Sequence, residues 1–294
     1  MITRMTNQTM VRSALQNLQT NLNQMSKLQE QASSQKLISR PSDDPAATAS
    51  ALAIRADQRA NEQYGRNIGD GNNWLTTVDS ALSNVSVLMN KVRDLTVQGA
   101  NDGALSPSAK EAIALELESL RSELLVEANS TYLGRSVFAG NSDTGAAFAA
   151  DYSFSGEPGS TVERRISGES TIRVDADGAA VFGTGSNSVF ALVDTIVNDL
   201  RSGVNVGSHL TSLDARKDTI LGQHAVVGSR HAQLERAKEA NVDQFVALET
   251  QRSGVEDVDL AKVILDLQVQ QVSYQTALAV TARVLQPTLM DFLR

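Results

Sequence analysis

The chain has no cysteine and only five prolines, three histidines and 4% aromatic residues in 294 positions. Without cysteine there is neither a disulfide framework nor a thiolate metal site. So few aromatics is low for a compact enzyme. No run approaches the roughly 18 consecutive apolar residues of a membrane span, so no membrane role is expected. The N-terminus is rich in Gln and Asn and lacks the apolar block of a cleaved signal peptide. Basic residues are also in the minority. A net charge of −8 argues against nucleic acid as a partner. The length is compatible with about two domains.

What the chain does contain is helical seam. Val11, Leu15, Leu18, Leu22 and Met25 alternate steps of four and three, the spacing of a helix that packs against another helix. Between Pro45 and Gln98, Leu75, Val78, Leu82, Val85, Met89 and Val92 repeat that step, with Gly69 and Gly71 as possible kinks before them. GANDGALSP, residues 99–107, reads as a turn, with Ser106 as cap and Pro107 as first residue of the next helix. Ile113, Leu117, Leu120 and Leu124 then complete an antiparallel hairpin. Seven of the twelve aromatics fall in residues 132–190 and nine of the nineteen glycines in residues 134–185. There TVERRI and TIRVD alternate apolar and polar positions as half-buried strands do. Helix resumes at Ser188 and breaks near Gly203–Gly207. A seven-residue repeat follows through Leu213, Ile220, Val227, Leu234 and Leu248. The last seam is Leu260, Ile264, Leu267, Tyr274, Leu278, Leu285 and Phe292.

The expected fold is mainly α with a small β insert. A long helical rod is built from both chain ends and carries a central β domain. Residues 1–45 and 255–294 form a terminal coiled coil, residues 46–133 and 188–254 a helical rod domain, and residues 134–187 the β domain. Opposite charge favours the pairing of the ends. Residues 1–40 hold five cations against Glu30, a net +4, and residues 255–294 have a net −2.

Chemistry has few footholds. In SRPSDDPAATASALAIR, residues 39–55, Asp43 and Asp44 stand side by side. Such a pair can hold a metal, but Pro45 fits a first helical position and Asp44 its N-cap, with Ser42 and Asp43 in the preceding turn. His224 and His231 are seven apart, about 10.5 Å along a helix, too far to share one ion. GTGSNS, residues 183–188, lacks the third glycine and the lysine of a phosphate loop. Arg164 and Arg165 lie in a strand, where one of them faces solvent. Met5, Met10 and Met25 suit soft interface packing. No catalytic, metal or cofactor site is assigned. The residues expected to matter are Val11, Leu15, Leu18, Leu22, Met25, Leu260, Ile264, Leu267, Tyr274, Leu278, Leu285 and Phe292 as an assembly interface.

Four stretches resemble the bacterial flagellin family: SRPSDDPAATASALAIR, VRDLTVQGANDGALS, LGRSVFAGN and VEDVDLAKVILDLQVQQVSYQTALAV. The last opens with the family's E-D-x-D-x-A pattern, here Glu256, Asp257, Asp259 and Ala261. Arg40-Pro41-Ser42 before the two aspartates, and the ending ARVLQPTLMDFLR, are closer to the family's hook–filament junction branch than to the filament subunit. The resemblance implies a structural protein that assembles as a ring with other copies of itself. Its implied partners are the other hook–filament junction protein, flagellin, and a cytoplasmic export chaperone at the C-terminal segment. It also implies export in an unfolded state through the flagellar type III pathway to an extracellular place in the flagellum. Flagellin itself is the alternative. In this family Ser42, Asp43, Asp44 and Pro45 make the helix-start turn, with no catalysis implied.

Overall fold

A computed structural model describes residues 7–284, apart from Asp102, Ala104 and Pro158. The chain divides into two compact units, residues 1–59 with 245–294 and residues 60–244.

In the first unit, α1 (Asn7–Ser34) packs on α7 (Leu260–Val284). The pair is antiparallel: the Val258 amide donates to the Gln35 carbonyl at one end, and Gln270 donates to Asn21 further along. The covered face of α1 runs through Val11, Ala14, Leu18, Asn21, Met25 and Leu28, and that of α7 through Val263, Leu267, Gln270, Tyr274, Ala277 and Thr281. Both sets keep the three–four step that holds one helix face toward a partner. The polar Asn21–Gln270 layer is hydrogen-bonded in this register and favours it.

In the second unit, α2 (Pro45–Gly99), which begins in the first, forms a hairpin with α3 (Pro107–Ala128). Leu75, Val78, Leu82, Val85, Met89 and Val92 are buried on α2, and Ile113, Leu117, Leu120 and Leu124 on α3. The Ser106 hydroxyl caps α3 by accepting from the Ala109 amide at 3.2 Å, with Pro107 behind it. α2 is unbroken through Gly69 and Gly71. A Cβ on Gly71 would stand 3.2 Å from Val174 and 3.3 Å from Leu234. This glycine therefore allows close approach of neighbouring segments rather than a kink.

The middle of the chain is less of a β domain than its alternation suggests. β1 (Thr131–Tyr132) pairs with β2 (Arg135–Ser136), and β3 (Glu163–Arg165) with β4 (Thr171–Arg173), in two separate antiparallel sheets. The short helix α4 (Gly178–Phe182) follows, then α5 (Val189–Ser202) and α6 (Leu210–Glu256). Strands of two and three residues cannot bury enough surface to stand alone. They rely on the helices: Val137, Phe138, Phe148, Val162, Ile172 and Phe182 belong to the same buried core as Trp74, Leu117 and Ile196. Phe148 meets Phe182 and Phe190 edge-on at 5.6 and 5.4 Å between ring centres, a geometry favoured by the ring quadrupoles.

Polar groups tie this core down. Asp175, fully buried, accepts from the Val162 amide at 2.8 Å and from two nitrogens of Arg173 at 2.9 and 2.8 Å. Asp194 accepts from Arg121 and, at 2.6 Å, from the Tyr152 hydroxyl. Burial, reinforced by the Asp194 carboxylate, pushes the Tyr152 phenol up to about 12. The unfolded phenol ionises near pH 10, about two units lower. Stability from this group is therefore complete below about pH 10 and is lost as pH rises toward 12. We expect Tyr152→Phe to flatten that alkaline loss in urea-denaturation midpoints measured from pH 9 to 12, and unchanged steepness would contradict the assignment.

Candidate assembly interface

The aspartate pair is used up by backbone. The Asp44 carboxylate accepts from the Ala47 amide at 2.9 Å and its carbonyl from the Thr48 amide at 2.9 Å, so Asp44 caps α2 with Pro45 as the first helical residue. The Asp43 carboxylate accepts from the Arg40 amide at 3.1 Å, and its own amide donates to the Arg40 carbonyl at 3.0 Å. Lys27 lies 3.6 Å from Asp43. Ser42 sits inside this turn. We expect Asp44→Ala to cost about 1 kcal/mol and Asp44→Asn less, because Asn caps nearly as well. Equal, severe losses in chemical denaturation would show the carboxylate charge doing something else.

The histidines are engaged one by one. His209 is 2.6 Å from Asp199 and His224 is 2.8 Å from Asp79. Among the described residues no three His, Asp or Glu side chains converge as a metal set. Arg164 binds Asp70 at 2.6 Å and lies over the Trp74 ring, while Arg165 faces solvent.

Where α6 gives way to α7, the E-D-x-D-x-A residues form a charged knot. Glu256 is only 4% exposed, and its carboxylate meets Arg55 at 2.7 Å and Arg252 at 3.5 Å. Arg252 also binds Glu249 at 2.7 Å and Asp257 at 3.3 Å. Glu249, half-buried and further held by Gln58, has its carboxyl shifted below the usual range, chiefly by the Arg252 hydrogen bond. Asp257 pairs in a single β-bridge with Lys36, and the Glu256 carbonyl accepts from the Leu37 amide at 2.7 Å. Asp259 starts α7 by accepting from the amides of Ala261 and Lys262. Sequence reasoning missed Arg55 and Arg252. The Glu249, Arg252, Glu256 spacing of three and four was the readable signal for Arg252. Arg55 carries no such local mark, because its partner lies 201 positions away.

The seam residues divide into two sets. Val11, Leu18 and Met25 on α1, and Leu267 and Tyr274 on α7, lie in the covered faces of the pair. Leu15 and Leu22 are exposed on α1, as are Leu260, Ile264 and Leu278 on α7. The reason is register. Val263 and Gln270 occupy the inner positions of α7, which turns Leu260, Ile264 and Leu278 to its flank. Leu285 and Phe292 lie outside the described residues.

A further stripe occupies the side of α7 opposite its covered face. Leu265, Val269, Val272 and Val280 are 62, 64, 62 and 56% exposed. α7 thus carries apolar side chains on the side away from α1 as well as on its covered face, more than a helix with a single partner needs. Among the described residues α1 is the helix that packs against it. Exposed apolar side chains clustered on one side of a helix are a feature that interaction faces share.

Residues 5–143 match the model of the bacterial flagellin N-terminal helical region. Flagellar hook-associated protein 3 of Salmonella typhimurium is 27% identical over 279 residues, covering 85% of this chain and 87% of that protein. A flagellin of Halalkalibacterium halodurans is 23% identical over 271 residues, covering 92% of each. The crystal structure of the flagellar junction protein FlgL from Legionella pneumophila shares the fold, with a TM-score of 0.58 at 16% identity, over 71% of this chain and all of that one. The N-terminal helical region thus matches the bacterial flagellin model, and most of the chain aligns with flagellar hook-associated and flagellin relatives.

Proposed function

We propose that this protein is a structural component of the bacterial flagellum that joins the hook to the flagellin filament, with no enzymatic role. The observation that carries the reading is α7, apolar on its covered and its open side. Such a helix is stable in water only when other chains enclose it. The terminal segments, residues 1–45 and 255–294, then work as a coiled coil whose open faces meet neighbouring subunits. Leu15, Leu22, Leu260, Ile264 and Leu278 supply contact there, with Leu285 and Phe292 continuing the seam. The helical parts, residues 46–133 and 188–254, pack side by side in a ring, and residues 134–187 face outward. The implied partners are the other hook–filament junction protein on one side, flagellin on the other, and an export chaperone that holds the C-terminal segment in the cytoplasm. Travel through the flagellar type III pathway in an unfolded state suits a chain free of cysteine.

The filament subunit is the second reading, favoured by the flagellin relative that aligns along 92% of this chain. Deletion of the gene separates the two. The junction reading expects hooks without filaments and intact flagellin shed into the medium. Filaments of normal length on the deletion strain would overturn it, and bare hooks with no flagellin outside would favour the second reading.

A further inference from the structure

Away from the terminal helices, the α2–α3 hairpin carries an open groove of about 440 Å³. Val87, Leu88, Ser119, Ser122 and Val126 line it, and Glu123 stands on its rim. Val87 and Val126 are largely exposed although the core is a helix width away. The α3 side of this face is acidic. Arg201 occupies Glu111 and Glu118. Among the described residues Glu116 and Glu123 meet no cation, and Glu127 meets only the Asn84 amide. Lys91 is the one positive residue on the α2 side of this face.

The same unit exposes a face of the opposite kind on α6. Leu221, Ala225, Gly228, Ala232 and Arg236 follow one another at steps of four, three, four and four, all open to solvent. Between Leu221 and Gln233 the exposed residues bear no charge. Gly222 and Gly228 have nothing within 4 Å of where a Cβ would stand. Glycine inside a helix weakens it relative to alanine, and no neighbour among the described residues requires either one. The stripe ends at Arg236, which meets no carboxylate among the described residues. From Leu221 to Arg236 is about 22 Å, and the α3 wall of the groove, from Ser119 to Glu127, is about 12 Å at 1.5 Å per residue, so the Arg236 end of the stripe fills it.

We infer that the α2–α3 groove of one copy receives the α6 face of a second copy, with Arg236 set against Glu123 and Glu127. Each copy offers one groove and one ridge. The contact is therefore head-to-tail, and a rotation that closes makes a ring. The smooth ridge lets the helices approach closely, with the exposed valines of the groove covered by it. This rests on the ring reading of the function and names the surfaces that build the ring.

The absence of cysteine gives a clean test. The full chain carrying Ser122→Cys together with Ala232→Cys, the ridge residue one turn before Arg236, is expressed in the deletion strain and mildly oxidised in isolated hook–filament preparations. A second version pairs Ser119→Cys with Gly228→Cys, one helical turn along both helices. Disulfides form only between Cα atoms about 4.4–6.8 Å apart. We expect at least one version to give a ladder of covalent multimers of this chain, and each single variant to stay monomeric. In parallel, Glu123→Arg is expected to reduce filament-bearing cells at least tenfold, and Arg236→Glu in the same chain to restore them. With the chain present at the hook–filament boundary, no ladder and no rescue would overturn the groove contact alone. A disulfide-free groove whose Glu123→Arg variant sheds the neighbouring flagellar proteins instead would assign it to another partner and also overturn it. Absence of the chain from that boundary would remove the ring reading, and the contact with it.

Discussion

Cells carrying Val272→Asp should make hooks and no filaments, while the purified monomer should unfold at the wild-type temperature. Val272 lies on the open side of α7 and is 62% exposed in the single chain. A carboxylate there remains in water, so the monomer should change by no more than about 0.5 kcal/mol. In an assembly that encloses α7, the same carboxylate loses its water and finds an apolar wall. Burying an unpaired charge in that way costs several kcal/mol, and the cost recurs at every subunit. Val269→Asp should behave alike, since Val269 is on the same stripe. Val263→Asp gives the contrast: Val263 is 5% exposed on the face toward α1, so it should damage the monomer itself. Scanning calorimetry of the three monomers and electron microscopy of the three strains check this. Normal filaments on the Val272→Asp strain would remove the open side of α7 from the interface.

The second large effect concerns the aromatic core. Phe182 is fully buried and stacks within 5.8 Å of Phe190 on α5, with Phe138 and Phe148 edge-on to it. Phe182→Ala should cost about 3–5 kcal/mol, the transfer term plus the cavity left behind. For a unit of this size that lowers the melting temperature by on the order of 10 °C. Because the short strands share one core with α2, α3 and α5, far-ultraviolet circular dichroism and aromatic fluorescence should lose signal in a single coincident transition. A separate early melt of residues 134–187, with the helices intact, would show a self-contained β domain instead.

The helices were readable because their burial is periodic. A continuous three–four step such as Leu75 to Val92 has one physical solution, a face turned inward, and each of those residues is buried. Caps were readable for a similar reason: Ser106-Pro107 and Asp44-Pro45 each combine a side-chain acceptor with a residue that needs no amide partner. The middle of the chain misled because alternation over five or six residues reports a half-buried strand without reporting how long the ladder is. TVERRI and TIRVD yield only three paired residues each, and their inner side chains join a helical core that no local pattern reveals. At the ends the difficulty was one of phase. α7 carries apolar residues on more than one side, so sequence spacing permitted several seams. Which one faces α1 is decided by Val263, Gln270 and Thr281 on the covered face, two of them polar. Leu260, Ile264 and Leu278 looked like the stripe because they are larger. The charged knot at Glu256 was half visible, in the helical spacing of Arg252, and half hidden, in the distant Arg55.

Position along the flagellum is the most direct test of the junction assignment. An epitope inserted after Thr144, in an exposed turn beside Gly145, whose Cβ position is open, can be located with gold-labelled antibody on isolated hook–filaments. The account predicts a single narrow band of gold at the boundary between hook and filament. Gold distributed along the whole filament, as for a filament subunit, would contradict it.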